Sequence, residues 1–147
     1  MATDKLKAYT LVFIQAVCLI VVLATGKLFA DFLPLLVIEI SGIALGCWAI
    51  FVMKLRNLQA SPLPKRDARL VTKGPYALIR HPMYSAVLLA VWPLIIDQYS
   101  PLRMTVGLVL TADLIAKLLY EESLLVKHFS EYREYMNRTK RLIPFVI

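Results

Sequence analysis

The stretch that decides the fold is FLPLLVIEISGIALGCWAIFVM, residues 32–53, which holds a single charged residue, Glu39. A helix needs about 20 mostly apolar residues to cross the hydrocarbon core of a bilayer, so this stretch predicts a transmembrane helix. Gly42 and Gly46 stand four positions apart within it. Small residues at this spacing let helices approach closely in lipid, and we expect these two to pack against another helix of the same chain.

Three further apolar runs surround this stretch. Residues 9–25 are longer than the usual core of a signal peptide, about 7–15 residues, and are predicted to stay as a membrane helix. Residues 84–96 are short and contain Pro93, and residues 104–120 carry Asp113 and Lys117. Polar and turn-forming residues at 97–101 predict that these two runs form a hairpin. The chain is therefore expected to contain about four transmembrane helices, at 9–25, 32–53, 84–96 and 104–120.

The composition supports one all-α integral membrane domain over residues 1–147. Hydrophobic residues make up 59% of the chain and charged residues 18%, whereas about a quarter of a soluble domain is charged. The two cysteines, Cys18 and Cys47, lie in apolar runs, and the two histidines, His81 and His128, lie far apart. This pattern predicts neither a disulfide framework nor a metal site.

The net charge of +7 reflects where the basic residues lie. Fifteen of the 17 fall in the N-terminal segment, the segment between the second and third runs, and the C-terminal segment. The two short connections hold only Lys27 and Arg103. Positive residues favour the cytoplasmic side of a membrane. We therefore expect a multi-pass protein with both termini and the middle segment in the cytoplasm, and no nucleic-acid partner.

Two of these cytoplasmic segments differ in character. Residues 54–82 contain Pro62, Pro64 and the Gly74–Pro75 pair, which predict a loop rather than a long helix. In residues 121–147, apolar side chains recur every three or four positions, which predicts one C-terminal amphipathic helix. The chain then continues as Leu-Ile-Pro-Phe-Val-Ile, a tail expected to pack on the protein or on lipid.

The entry to the third helix combines features that suit an anion. Pro82 favours the first turn of a helix, which would leave the backbone N–H groups of Met83, Tyr84 and Ser85 unpaired. Arg80 and His81 stand immediately before it and add donors. An alternative interpretation is that these two residues only anchor the helix at the membrane surface.

The fourth helix carries a second polar feature, because Asp113, Lys117 and Glu121 recur every four residues on one helical face. They could form ion pairs along the helix, but ionisable groups in a membrane segment usually face a cavity or a polar path. Glu121 and Glu122 are adjacent acids at the predicted helix end, where the dipole disfavours them. Either a cationic or hydroxyl-rich ligand, or nearby Lys and Arg residues, would compensate them.

Three motifs together resemble a known family. They are L-V-T-x-G-P-Y-x-x-x-R-H-P-M-Y at 70–84, the Glu-Glu pair at 121–122, and Y-x-x-Y…R-x-I-P-F near the end of the sequence. The combination is similar to the isoprenylcysteine carboxyl methyltransferase family, which is related to the membrane phospholipid methyltransferases. The resemblance covers about residues 69–145. It implies an S-adenosylmethionine-dependent enzyme that releases S-adenosylhomocysteine.

The resemblance also implies roles for individual residues. The substrate-facing arginine of the family falls on Lys117, whose position supports contact with the acceptor. Glu122 or Asp113 could act as a base if the acceptor is an amine. Ala86 and Ser61 replace a glycine and a glutamine that are usual in the family. The residues implied to bind the cofactor are Arg69, Leu70, Val71, Tyr76, Arg80, His81, Pro82, Met83, Tyr84 and Glu121.

These observations predict methyl transfer to a lipophilic acceptor that enters from the bilayer, with a prenylcysteine-like carboxylate favoured over a phospholipid or small amine. Membrane sterol reductases, which use NADPH, end in a similar Y-x-x-Y…R-x-I-P pattern, but they are much longer and lack the R-H-P-M-Y and Glu-Glu combination. A non-enzymatic scaffold or transporter subunit would leave the motif at 70–84 unexplained.

Overall fold

The computed structural model describes residues 2–57, 63 and 69–143, and its regular structure is helical. The helices are α1 (Ala2–Ala24), α2 (Leu33–Asn57), α3 (Pro82–Asp97), α4 (Pro101–His128) and α5 (Tyr132–Arg138). A 3-10 turn, Gly74–Ala77, precedes α3. Within these described ranges, extended pairing is limited to one isolated bridge between Ile79 and Lys140. The all-helical prediction is confirmed, and so is the turn between α3 and α4.

The helices pack as two pairs. Contacts are densest between α2 and α3 and between α1 and α4, whereas α1 and α2 barely touch although they are consecutive in the chain. The apolar core lies where α1, α3 and α4 meet and includes Val22, Ile95, Leu110 and Leu114. A gap therefore remains between α1 and α2, over the face of α3.

Burial in this bundle is inverted relative to a soluble protein. Phe51 and Phe13 are 82% and 68% exposed, while Arg103 and Lys117 are 1% and 3% exposed. Apolar side chains on the outside and charged side chains on the inside suit a lipid environment. Two helices are long and apolar enough to cross a membrane, Asp4–Ala24 and Leu33–Met53, and Pro82–Asp97 is a shorter apolar helix. The chain is thus a membrane-associated helical protein.

The two glycines of α2 bring it against α3, as the sequence predicts. A methyl group added at Gly42 would lie 2.8 Å from the backbone nitrogen of Ala90, which is closer than real contacts allow. One added at Gly46 would lie 3.3 Å from the Cβ of Ala86. The contact is therefore made within the chain, and Gly42 is the position at which the two backbones come closest.

Polar side chains bind the helix ends together at the pole of the bundle where α1 joins α2 and α3 joins α4. Arg103 donates to the carbonyl oxygens of Val22, at 3.0 Å, and Leu94, at 2.8 Å, near the ends of α1 and α3. Asp97 accepts from the backbone N–H of Phe32 at 3.0 Å, and Glu39 accepts from that of Ala30 at 3.0 Å. Arg103 thus reaches carbonyl oxygens in the last turns of α1 and α3, and the two carboxylates pair backbone N–H groups in the connection between α1 and α2.

The structure corrects the prediction for residues 121–147. Instead of one amphipathic helix, α4 continues to His128, the helix is interrupted at residues 129–131, and the short helix α5 follows. Glu121 and Glu122 consequently lie inside α4, about two turns before its end, and not at a helix terminus. Ser61 and the tail at 144–147 lie outside the described residues.

Candidate functional site

Glu122 is the centre of a buried charge cluster at the opposite pole of the bundle. Its Oε1 accepts from Nε of Arg80 at 2.7 Å, and its Oε2 accepts from Nε of Arg141 at 3.0 Å. Nε2 of His81 lies 3.5 Å from Oε1. The side chains of Arg80 and Glu122 are only 7% and 6% exposed. The cluster joins the start of α3, the C-terminal part of α4 and the segment after α5.

This environment fixes the protonation state of Glu122. Burial by itself raises the pKa of the carboxyl group, because it penalises the charged form. The groups donated by His81, Arg80 and Arg141 outweigh burial and lower the pKa from 4.5 to about 2. Glu122 is therefore ionised at neutral pH and already fully engaged by its neighbours.

Arg80 and His81 are also held by the chain that follows α5. The backbone N–H of Arg80 donates to the carbonyl of Lys140 at 2.7 Å, and that of His81 donates to the carbonyl of Arg141 at 3.0 Å. Nη1 of Arg80 donates to the carbonyl of Met136 at 3.1 Å and to that of Thr139. The segment after α5 thus fixes the Arg-His pair from outside the motif at 70–84.

Glu121, the neighbour of Glu122, has a different environment. Its Oε2 accepts from the hydroxyl of Tyr84 at 2.5 Å and lies 3.9 Å from Nδ1 of His81. The rings of His81 and Tyr84 are stacked, with centroids 5.3 Å apart. The Glu121 side chain is 28% exposed. This carboxylate can therefore reach a ligand, whereas Glu122 cannot.

Two buried polar atoms near the two acids lack a hydrogen-bond partner among the described residues. They are the hydroxyl of Tyr76 and Nε2 of His81, and the latter faces Oε1 of the buried Glu122 at 3.5 Å. Tyr76 itself is fixed, since the hydroxyl of Tyr135 donates to its carbonyl oxygen at 2.6 Å. Buried polar groups are nearly always paired, so the unpaired Tyr76 hydroxyl indicates a group that a ligand would satisfy.

The predicted anion site at the start of α3 is wrong for two of its three amides. Pro82 does begin the helix. However, the backbone N–H groups of Tyr84 and Ser85 donate to the carbonyl of His81 at 3.0 and 3.1 Å. They are consumed by the cap of the helix, and the donors available at this end are side chains.

A cavity of about 540 Å³ lies on the other side of Tyr84, in the gap between α1 and α2. The polar groups at its wall are Lys117, Gln15 and Tyr84. Nζ of Lys117 donates to Oε1 of Gln15 at 2.7 Å and lies 5.3 Å from the centre of the Tyr84 ring. Its apolar wall is formed by Val12, Ala16, Leu19, Gly42, Ile43, Gly46, Ile50, Met83, Ala86, Val87 and Ala90.

Asp113 does not line this cavity, although it lies one helical turn from Lys117. It is buried, and neither of its carboxylate oxygens has a hydrogen-bond partner in the part of the chain that the structure describes. Among the described residues, Lys117 makes no ion pair within 4.0 Å to Asp113 or Glu121. The alternative in which Lys117 forms a close ion pair along its own helix is therefore not observed among these residues.

The remaining residues of the predicted set precede or begin α3 in the chain. Leu70 and Val71 are half-buried and Arg69 is exposed, at the start of the described segment that leads to the 3-10 turn. Met83 lines the cavity. Sequence reasoning gave no role to Gln15, whose only signal was an isolated amide within an apolar run. The only sequence feature that pointed to Arg141 was the R-x-I-P motif.

Comparison with known proteins shows the family. The phospholipid methyltransferase family matches residues 32–132, more than half of the chain, and the chain belongs to this family. The family assignment indicates a membrane methyltransferase. Two helices among the described residues are candidates to span the membrane.

A more distant similarity concerns one curated protein. The chain is 37% identical over 82 residues to the cobalt-zinc-cadmium resistance protein CzcN of Cupriavidus metallidurans. The aligned region covers 54% of this chain and 38% of that protein, so this chain matches well under half of the length of CzcN.

The charge cluster predicts how stability depends on pH. The pKa of Glu122 is lower in the folded protein, so its contribution is complete above pH 4.5 and is lost as the pH falls towards about 2. Replacing Glu122 with Gln leaves two buried or half-buried arginines without their carboxylate. This should cost about 3–5 kcal/mol at neutral pH and should remove that part of the acid sensitivity.

Unfolding of wild type and Glu122→Gln in detergent, followed across this pH range, measures both effects. Glu134→Gln is the matched control, because Glu134 pairs with Arg138 on the surface and such pairs contribute at most about 1 kcal/mol. An identical loss of stability on acidification in wild type and Glu122→Gln would contradict the assignment.

Proposed function

We propose that this protein is an S-adenosylmethionine-dependent methyltransferase that acts on a lipophilic, anionic acceptor held in the cavity between α1 and α2. The observation that carries the proposal is the position of Tyr84. Its hydroxyl is bonded to Glu121, beside the unpaired Tyr76 hydroxyl, and its ring lines the cavity below Lys117. A polar ligand site and an apolar cavity thus share one side chain.

The residues around Glu121 fit the proposed cofactor chemically. S-adenosylmethionine, when bound, supplies an activated methyl group. The Glu121 carboxylate can accept hydrogen bonds from an ammonium or from ribose hydroxyls, and Tyr76 offers a hydroxyl that is unpaired among the described residues. His81 stacks on Tyr84 and lies between the two acids, so it holds both in place. Arg80 acts through Glu122, which it holds in place. Direct cofactor contacts of Arg69, Leu70, Val71, Pro82 and Met83 remain proposals from the family resemblance.

The cavity supports an acceptor with an apolar chain and a negative charge. Its walls are mostly apolar, and α1 and α2 do not close over it, so a lipid-soluble molecule could enter from the bilayer. Among the described residues that line it, Lys117 alone is charged, and the partner of that ammonium is an uncharged amide. An acceptor carboxylate is ionised at neutral pH and needs no base, so a prenylcysteine-like acid suits this site.

The amine alternative is supported by the name of the family. It would need a base to take a proton from the acceptor. Glu122, with a pKa of about 2 and two arginine partners, is poorly suited to that task. Asp113 lies off the cavity wall. For these reasons we favour the anionic acceptor over a phospholipid amine or a small amine.

We also propose that all four long helices cross the membrane and that the cofactor side faces the cytoplasm. α3 is short, and α4 contains polar residues along its length. However, α3 packs against the strongly apolar α2, and α4 packs against the strongly apolar α1. The asymmetry of basic residues sets the orientation. In this arrangement the polar cofactor enters from the cytoplasm and the acceptor enters from the bilayer.

Cysteine labelling tests the orientation. In a Cys18→Ala, Cys47→Ala background, Ser100→Cys should react with an impermeant reagent added to intact cells, and Lys73→Cys should react only after permeabilisation. Rapid labelling at position 73 from outside would reverse the proposed topology.

Loss of Glu121 or His81 should weaken binding of S-adenosylhomocysteine. A lost hydrogen bond to a charged group costs about 1.5–3 kcal/mol, so Glu121→Ala and His81→Ala should each lower the affinity about ten- to a hundredfold. Calorimetric titration of purified protein in detergent measures it, with Glu134→Ala on the exposed face of α5 as control. Unchanged affinity in both variants would exclude this cofactor site, and no binding by wild type would favour a scaffold or transporter subunit.

Substitution of Lys117 separates the two acceptor classes. If its ammonium holds an acceptor carboxylate, Lys117→Met should abolish transfer to farnesylcysteine while S-adenosylhomocysteine affinity stays within about twofold, and Lys117→Arg should retain activity. Labelled methyl transfer to farnesylcysteine and to a phospholipid amine measures the outcome. Methylation of the amine alone, with Lys117→Met tolerated, would exclude a carboxylate acceptor and would still support a methyltransferase.

A further inference from the structure

Gln15 belongs to α1, which lies before the residues that match the family, 32–132. It is half-buried in a helix whose neighbouring cavity residues are Val12, Ala16 and Leu19. Its Oε1 accepts the hydrogen bond from Nζ of Lys117 at 2.7 Å, across 102 positions of sequence. The first helix therefore supplies a polar group to the cavity that is otherwise built by the family region.

The chemistry of this partner decides the charge of the cavity. An amide oxygen orients an ammonium without neutralising it, whereas a carboxylate at the same place would form an ion pair. Neither of the two acids on the same helix takes the place of such a carboxylate. Glu121 is engaged by the hydroxyl of Tyr84, and Asp113 makes no hydrogen bond to the ammonium. Among the described residues the ammonium therefore has no carboxylate in direct contact, and it can bind a ligand anion in an apolar cavity, where charges are poorly screened.

We propose that Gln15 is a positioning residue that sets the charge specificity of this cavity. It directs the Lys117 ammonium along the cavity wall and, being uncharged, leaves it free to bind an anionic amphiphile. The ammonium keeps two further protons for the oxygens of a ligand carboxylate. The inference rests on the proposed function only in naming the cavity as the acceptor site, because the selectivity itself is a property of binding.

Two ligands that differ by one charge test the proposal, N-acetyl-S-farnesylcysteine and its methyl ester. Their affinities for purified protein in neutral detergent are measured for wild type, Gln15→Glu, Gln15→Met and Asn137→Glu, together with the affinity for S-adenosylhomocysteine. Gln15→Glu keeps the hydrogen bond and adds a charge inside the cavity. Asn137→Glu makes the same change of net charge on the exposed face of α5.

Wild type and Asn137→Glu should bind the acid about tenfold more tightly than the ester, and Gln15→Glu should lose this preference through the acid alone. Gln15→Met should weaken the acid and leave the ester unchanged. Cofactor-product affinity should stay the same in all four proteins. This pattern cannot arise from a merely structural role, since loosened packing would weaken both ligands.

Retention of the acid preference in Gln15→Glu, or its absence in wild type, would overturn the proposal. Failure of the proposed enzymatic function has a different signature. Wild type would then show no affinity for S-adenosylhomocysteine, while the acid preference and its loss in Gln15→Glu would remain.

Discussion

The buried ion cluster of Glu122 with Arg80 and Arg141 is the interaction on which the site depends. A carboxylate removed from water is stable only when opposite charges and donors surround it closely, and here they come from three separate parts of the chain. The requirement fixes the start of α3 against α4 and draws the segment after α5 over both. His81 and Tyr84 take up their positions because this frame holds the first turn of α3.

The cluster also explains why two adjacent acids have different chemical environments. Consecutive residues of a helix point about 100° apart, so Glu121 and Glu122 cannot face the same surroundings. Glu122 is directed at the arginines and is held ionised by them. Glu121 meets the hydroxyl of Tyr84 and remains partly exposed. One carboxylate stabilises the frame, and the neighbouring one is left for a ligand.

Packing in the rest of the bundle leaves room for the cavity. Gly42 and Gly46 allow α2 to lie close on α3, and the same glycines contribute to the cavity wall. α1 packs on α4 instead, which separates it from α2. At the opposite pole, Arg103 joins the ends of α1 and α3 through their carbonyl oxygens.

The sequence by itself determined the helical membrane fold, the hairpin between α3 and α4, the contact made by the glycines and the family, because apolar length, turn residues and short motifs are local properties. It singled out the R-H-P-M-Y motif and the Glu-Glu pair, which the structure brings together at one end of the bundle. Only the tertiary structure decided which acid pairs with Arg80, that the carbonyl of His81 consumes the amides of Tyr84 and Ser85, and that α4 continues past the Glu-Glu pair. The Gln15–Lys117 hydrogen bond was beyond any local pattern, because its partners are brought together by the packing of α1 on α4 and no periodicity within either helix records it.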